Sequence, residues 1–218
     1  MFSIKDKVVV ITGGYGVLGA SMARCLAGQG AHVVIVGRKA EKGEALAAEL
    51  SALGTEALFC KADVLDRKAV TAAREEIVAK WGKIDVLINA AGGNMPGATI
   101  MPDKSFMDID FSAFGDVVNL NLMGTVIPTV IFGEQMAKQK HGSIINISSM
   151  TAQRVVTRVV GYSASKSAIV SGIRSPTASA RTMTNWPGRA ACATRGASTF
   201  IRQMVAVSIS FFTSLNLS

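Results

Sequence analysis

Tyr162 and Lys166 are the residues whose types and spacing most directly suggest chemistry in this chain. They stand four apart in Tyr162-Ser-Ala-Ser-Lys166, so on a helix the two side chains share one face, about one turn apart. A phenol is a weak acid near neutral pH, and a neighbouring ammonium favours the phenolate and brings its pKa toward the working range. That makes Tyr162 a candidate general acid or base. Ser149, thirteen residues upstream, belongs to the same stretch. Tyr-x-x-x-Lys is also an ordinary pair on an amphipathic helix, so its weight depends on the elements that would position it.

Those elements are readable from the N-terminus onward. Lys7-Val-Val-Val-Ile-Thr12 is a short, β-branched apolar run, the pattern of a parallel strand buried on both faces. Gly13-Gly-Tyr-Gly-Val-Leu-Gly19 follows, and then a helix with Leu18, Met22, Cys25, Leu26 and Gln29 at helical spacing. His32–Val36 is a second strand, Glu41–Leu53 a helix closed by Gly54, and Ala57–Cys60 a third strand. Asp66 reads as the N-cap of a helix with Val70, Ala73, Ile77 and Trp81 on its apolar face and Gly82 just past its end. Ile84–Asn89 and Gly142–Ile147 give a fourth and a fifth strand. Between them lie a polar, glycine-rich loop from Gly92 to Asp108 and a helical stretch from Phe111 to Lys138. Strands alternating with helices predict an α/β fold, a doubly wound parallel sheet of the Rossmann type.

Strand, glycine loop, helix is the order a dinucleotide site needs. Gly14-x-Gly16-x-x-Gly19 lets the backbone turn tightly and approach a pyrophosphate, whose charge suits the free N–H groups of the helix start. The end of the second strand normally offers an acidic residue to the adenosine ribose. Here it reads Val36-Gly37-Arg38-Lys39, and a guanidinium there suits a 2′-phosphate, so the expected cofactor is NAD(P), leaning to NADP.

Composition narrows the function classes. The chain has 218 residues, 49% of them apolar, which is enough for one domain with its own core. No run of 18 apolar residues and no leader-like start appear, so the chain is expected to be cytoplasmic, with no membrane partner. The net charge is +8, but the segment from Ser171 to Ser218 holds five arginines and no Asp, Glu or Lys, so five of those eight charges sit in the tail. No basic run interleaved with aromatics is present, and nucleic acid is not an expected partner. Cys25, Cys60 and Cys192 are odd in number and widely separated, and are expected to be reduced, buried hydrophobes rather than disulfides or metal ligands. No metal site is expected.

From Lys5 to about Gly172 the sequence resembles the short-chain dehydrogenase/reductase family. The resemblance lies in Thr12-Gly13 with the glycine loop, Asp63-Val64, Asn89-Ala-Ala-Gly92, Asn121-Leu-Met-Gly124, Ile147-Ser-Ser149 and Tyr162-x-x-x-Lys166. It implies that Tyr162 passes a proton to or from a substrate oxygen while hydride moves to or from nicotinamide C4. Ser149 is implied to hydrogen-bond that oxygen, Lys166 to lower the tyrosine pKa and hold the nicotinamide ribose, and Asn121 to position the lysine and a water-linked proton path. Gly13, Gly14, Tyr15, Gly16, Val17, Leu18 and Gly19 would line the pyrophosphate, with Arg38 and Lys39 at the adenosine ribose, Asp63 and Val64 at the adenine, and Asn89, Ala90, Ala91 and Gly92 along the cofactor edge. Two positions depart from the family: Val17 stands where the middle glycine is usual, and Ala90 replaces an asparagine.

The stretch from Gly92 to Thr129 is similar to the branch acting on sugar acids, the D-mannonate (fructuronate) oxidoreductases, which implies a secondary alcohol and ketone of a sugar acid as the small-molecule substrate. Arg154 and Arg158 are candidates to receive its carboxylate. Family members associate as homo-oligomers through the helices around Asn121 and Tyr162. The alternative is a dinucleotide-binding chain that does not turn over.

The resemblance stops near Gly172, giving a core of residues 1–172 and an atypical basic tail, expected to be irregular, over 173–218. Pro176 is expected to break the helix that carries Lys166. The tail's composition fits translation in another frame or a divergent end with strands missing. Met204–Phe212 is the one apolar run that could add an edge strand.

Overall fold

The computed structural model describes residues 3–154, 156–172, 181–183 and 207–213. Five parallel strands form the body of the sheet: β1 (Val8–Thr12), β2 (His32–Gly37), β3 (Ala57–Lys61), β4 (Val86–Asn89) and β5 (His141–Ile147). The helices between them are α1 (Val17–Ala27), α2 (Ala40–Ser51), α3 (Arg67–Trp81), α4 (Phe111–Val118) and α5 (Gly124–Gln139). Helix α6 (Val160–Gly172) follows β5.

Alternation along the strands builds two cores. Val8, Val10, Val34 and Val36 face α3 and α5 and pack with Val70, Ile77, Phe132 and Met136. Val9, Ile11, Val33 and Ile35 face α1 and α2 and pack with Ala23, Ala27, Leu46 and Leu50. Both faces of β1 and β2 are thus dry, which is why these strands read as unbroken apolar runs rather than alternating ones. Each such side chain contributes about 1.5–3 kcal/mol on burial. The ends of α3 are set locally: the Asp66 carboxylate accepts from the N–H groups of Lys68 and Ala69, and Gly82 closes the helix in the left-handed region at φ 69°.

The strand order is β3-β2-β1-β4-β5-β7-β6, where β6 is Arg181–Met183 and β7 is Val207–Thr213. β7 runs antiparallel to β5, with Ile145 opposite Ile209, and β6 runs antiparallel to β7. Among the described residues two short antiparallel strands, rather than further parallel ones, follow β5, and the apolar run expected at an edge contributes β7, which β6 flanks on its outer side. Pro176 lies outside the described residues; α6 itself continues to Gly172.

Phe111–Gln139 is helical throughout, as the sequence predicts; by length and composition alone it is apolar enough to cross a membrane, and Ile131, Phe132 and Met136 on it are buried against the sheet. Cys60 is a free, buried thiol, pushed far up by burial, as expected of a small hydrophobe. Cys25, however, is disulfide-bonded.

Candidate active site

The carboxyl ends of β1, β4 and β5 place the expected site residues, as they do in open parallel sheets generally. At β1, Thr12 is fully buried and its Oγ1 accepts from the N–H groups of Ala90 and Ala91, both at 3.2 Å, so the loop after β1 is tied to the loop after β4. The same contact explains Gly13: with φ 66°, a Cβ there would lie 2.8 Å from Ala91 Cα. At Gly19 a Cβ would lie 2.4 Å from the Gly13 carbonyl oxygen, so α1 can seat on the turn only with glycine at that position. Gly16 is the N-cap of α1 and has no side chain to cap the helix, which leaves its first N–H groups for a ligand. Val17, in the place of the family's middle glycine, is 84% exposed, so its side chain points away from the packed turn.

A cavity of about 230 Å³ opens beside this turn. Its walls are Gly13, Tyr15 and Gly16 from the glycine loop, Gly37 and Arg38 from the end of β2, Asp63 and Val64 after β3, Ala90–Gly92 after β4, and Leu120. Arg38 Nη1 lies 3.6 Å from Asp63 Oδ2, with both side chains partly in solvent. Asp63 also accepts from the N–H of Leu65. The Asn89 side chain turns the other way: its amide donates to Thr129 Oγ1 at 2.9 Å and to Asn146 Oδ1 at 2.8 Å, fastening β4 to α5 and β5. Lys39 reaches the site through its main-chain N–H, at 3.1 Å from the Tyr15 hydroxyl.

The reactive group assembles on β5, α6 and the junction of α4 with α5. Lys166 is 5% exposed, and its Nζ donates to the Ile147 carbonyl oxygen at 2.9 Å. Burial pushes its pKa down to about 8. The ammonium lies 5.7 Å from the Tyr162 ring centroid, one helical turn away as the spacing predicts. Ser149, at the end of β5, is 4% exposed and caps a short turn over Met150–Ala152, its Oγ accepting from Thr151 N. That turn rests on α6, where Ser167 Oγ meets the Ala152 carbonyl at 3.5 Å.

Asn121 is fully buried and sits in a π-helical segment, Asn119–Met123, that joins α4 to α5. Its Nδ2 donates to the carbonyls of Gly93 and Val117, both at 2.8 Å, and its Oδ1 accepts from Gly93 N. The wide turn re-aims the side chain toward the loop after β4. Gly92 completes the arrangement. At φ 146°, a Cβ there would lie 2.5 Å from Asn121 Oδ1 and 3.6 Å from Lys166 Nζ, so Asn121, Gly92 and Lys166 form one contiguous wall.

Sequence reasoning leaves out two members of this group. Ser148, 4% exposed, donates from its Oγ to the Lys166 carbonyl at 2.9 Å, so β5 grips Lys166 at both its main chain and its ammonium. The Ile147 carbonyl is the other, and a main-chain acceptor carries no residue-type signal. Arg154 and Arg158 are both exposed; the Arg158 carbonyl accepts from Ile100 N, tying that loop to the stretch after β4. Among the described residues no cluster of His, Cys, Asp and Glu could hold a metal ion.

A nicotinamide dinucleotide fits these residues on structural grounds: a glycine cradle that a Cβ would fill, uncapped N–H groups at α1, and a cavity running from Arg38 to Gly92. Comparison with known proteins agrees. Residues 7–182 match the family model for short chain dehydrogenase. An uncharacterized oxidoreductase of Bacillus subtilis (strain 168), UxuB, is 41% identical over 175 residues, covering 77% of this chain and 63% of the relative. A Haemophilus influenza structure with bound NAD, provisionally described as a D-mannonate oxidoreductase, matches with a TM-score of 0.71 at 35% identity, covering 77% of this chain and 64% of that one. An actinorhodin polyketide ketoreductase variant with NADPH matches at 0.69 and 28% identity, covering 78% and 63%. The chain therefore spans a little under two thirds of the length of these proteins. Motifs, sheet order and family match coincide, and the chain belongs to the short-chain dehydrogenase family.

Proposed function

We propose that the chain is an NAD(P)-dependent oxidoreductase that interconverts a secondary alcohol and a ketone, with a sugar acid of the mannonate or fructuronate type as substrate. The observation that carries this is the buried, unneutralised Lys166 ammonium, 5.7 Å from the Tyr162 ring and against the Gly92–Asn121 wall at one end of the dinucleotide cavity. A positive charge held there favours the phenolate that forms when the Tyr162 hydroxyl gives its proton to a ketone oxygen. The reverse direction returns the proton from the alcohol to Tyr162. Ser149 Oγ serves as a hydrogen-bond donor to the same oxygen as charge develops on it. Asn121 acts by holding the Gly92–Gly93 loop, so it positions rather than transfers.

The dinucleotide, when bound, supplies or takes up the hydride. Gly13–Gly19 and the start of α1 hold its pyrophosphate, Asp63 and Val64 border its adenine, and Ala90–Gly92 border its length. Arg38 favours NADP over NAD, because its ion pair with Asp63 is long and solvent-exposed and such pairs contribute only about 0–1 kcal/mol, so a phosphate can recruit the guanidinium. The sugar-acid substrate is supported by the 35% identical Haemophilus structure and by the exposed Arg154 and Arg158, which suit a carboxylate.

The test is to follow reduced-nicotinamide absorbance with fructuronate for the chain and for Tyr162→Phe. Turnover by the first and its loss in the second, with nucleotide fluorescence retained, is the expected result. Equal rates would remove Tyr162 from the chemistry. Binding without turnover in both would leave the second reading, a dinucleotide-binding chain that does not react.

A further inference from the structure

The end of β2 is closed by a residue from a different element. The Tyr15 ring, from the glycine turn, lies against Gly37 so closely that a Cβ there would come within 2.3 Å of Tyr15 Cε1 and 3.1 Å of its Oη. The hydroxyl oxygen accepts from two main-chain donors at once, Arg38 N at 3.0 Å and Lys39 N at 3.1 Å. Lys39 is the N-cap of α2, so the phenol engages the main chain just ahead of the helix, at N–H groups that an N-cap side chain does not reach. A phenolic oxygen carries two lone pairs and one proton. Both lone pairs are engaged, and the proton remains to be donated. The same residue lines the cavity together with Arg38 and Asp63.

We propose that Tyr15 is a specificity-determining residue of the nucleotide site: its hydroxyl, held by the Arg38 and Lys39 main chain, donates its proton to a phosphate on the adenosine 2′ position. This role rests on the nucleotide binding proposed above and extends it. Filling the space over Gly37 needs only the ring, and a phenylalanine would do it. The hydroxyl adds two things: it gathers two N–H groups onto one oxygen, and it presents a single polarised donor to the cavity. An anion gains more from such a donor than a neutral 2′-hydroxyl does, because hydrogen bonds to charged groups are roughly twice as strong. Arg38, whose guanidinium is held among the described residues by the 3.6 Å pair with Asp63, supplies the charge on the same side. Tyr15 therefore reads the 2′ substituent by hydrogen bonding, and Arg38 reads it by charge.

Adenosine 2′,5′-bisphosphate and 5′-AMP isolate this contact, because they differ only in the 2′-phosphate and need no turnover. The full chain and Tyr15→Phe are titrated with each by calorimetry. The chain should prefer the bisphosphate, and Tyr15→Phe should lose about ten-fold of that preference, the worth of one charge-assisted hydrogen bond, while its affinity for 5′-AMP is retained. Retained 5′-AMP binding also shows that the variant is folded. An unchanged or increased preference would overturn the proposal, since the exposed N–H groups would then be receiving the phosphate themselves. Equal loss of both ligands would overturn it too, by making Tyr15 a support for the turn only. If the unaltered chain binds neither probe nor NADPH, the nucleotide-binding proposal falls with it; if it binds NADPH and only the Tyr15→Phe result fails, the role of Tyr15 alone is lost.

Discussion

The two ends of the sheet treat buried charge in opposite ways. At the amino ends of the strands, Asp85 is 5% exposed and surrounded by partners: Lys7 Nζ at 2.9 Å, Lys83 Nζ at 3.2 Å, His141 Nε2 at 3.6 Å and the Val8 N–H at 3.0 Å. Burial alone would push this carboxyl up, but the bonds from Val8, Lys7 and Lys83 together outweigh it and hold its pKa below the ordinary value. At the carboxyl ends, Lys166 is equally buried and meets only a carbonyl, and no acidic residue pairs with it among the described residues. One charge is neutralised and ties β1, β4 and β5 together. The other has no countercharge among the described residues and lies beside Tyr162, and on the role proposed for Tyr162 an added countercharge would cancel its effect on the phenol. On that proposal a cost in stability at the second end is the condition for chemistry there.

The largest expected effect tests the carboxyl end. Tyr162→Phe should lower turnover by about 10²–10⁴-fold, the range for a lost general acid, with the unfolding midpoint unchanged. Asp85→Ala should do the reverse. It removes the acceptor of the Val8 N–H and the countercharge of two lysines, costing about 3 kcal/mol by urea titration while nucleotide fluorescence with the folded protein is preserved. If Asp85→Ala instead abolishes nucleotide binding in protein that remains folded, the two ends are not separable.

Lys166→Met sharpens the contrast further, because the two ends should respond to pH with different windows. The Lys166 pKa falls from 10.5 to about 8 on folding, so between these values the unfolded chain binds more protons and stability rises with pH. This contribution is fully present above 10.5 and is lost as pH falls through 8. In Lys166→Met the rise should disappear from the stability profile between pH 8 and 10.5. For Asp85, whose folded pKa is lowered, stability is present above the unfolded carboxylate value and is lost as pH falls through the folded one. Asp85→Asn should therefore flatten the acid limb of the same profile. The smallest effect belongs to the exposed Arg38–Asp63 pair, where Asp63→Asn should change the unfolding free energy from urea titration by about 0–1 kcal/mol at most.

The fold is legible where residue type and period agree. Apolar runs flanked by glycine give β1 and β2, and Asp66 and Gly82 give both ends of α3 to the residue. The Tyr162–Lys166 pair is legible because helical spacing alone puts the two on one face. What the sequence conceals is carried by the main chain or by geometry without a type signal. Residues Asn119–Met123 form a π-helical turn within an otherwise continuous helix, and nothing in Asn-Leu-Asn-Leu-Met announces it. The partner of Lys166 is a carbonyl, and the partners of the Tyr15 hydroxyl are two N–H groups 23 and 24 residues away. The apolar run that contains β7 reads as a strand, but its antiparallel direction against β5 and its cover by β6 carry no residue-type signal.

The contrast between the two ends is tested most directly at the Lys166 ammonium itself. Its titration can be followed through the side-chain Cε–Hε resonances, assigned by their absence in Lys166→Met. A midpoint near 8 is the expected result, the value that burial beside Tyr162 imposes. A midpoint at the ordinary lysine value, about 10.4, would contradict it, because the charge would then be solvated or paired and the two ends of the sheet would not differ.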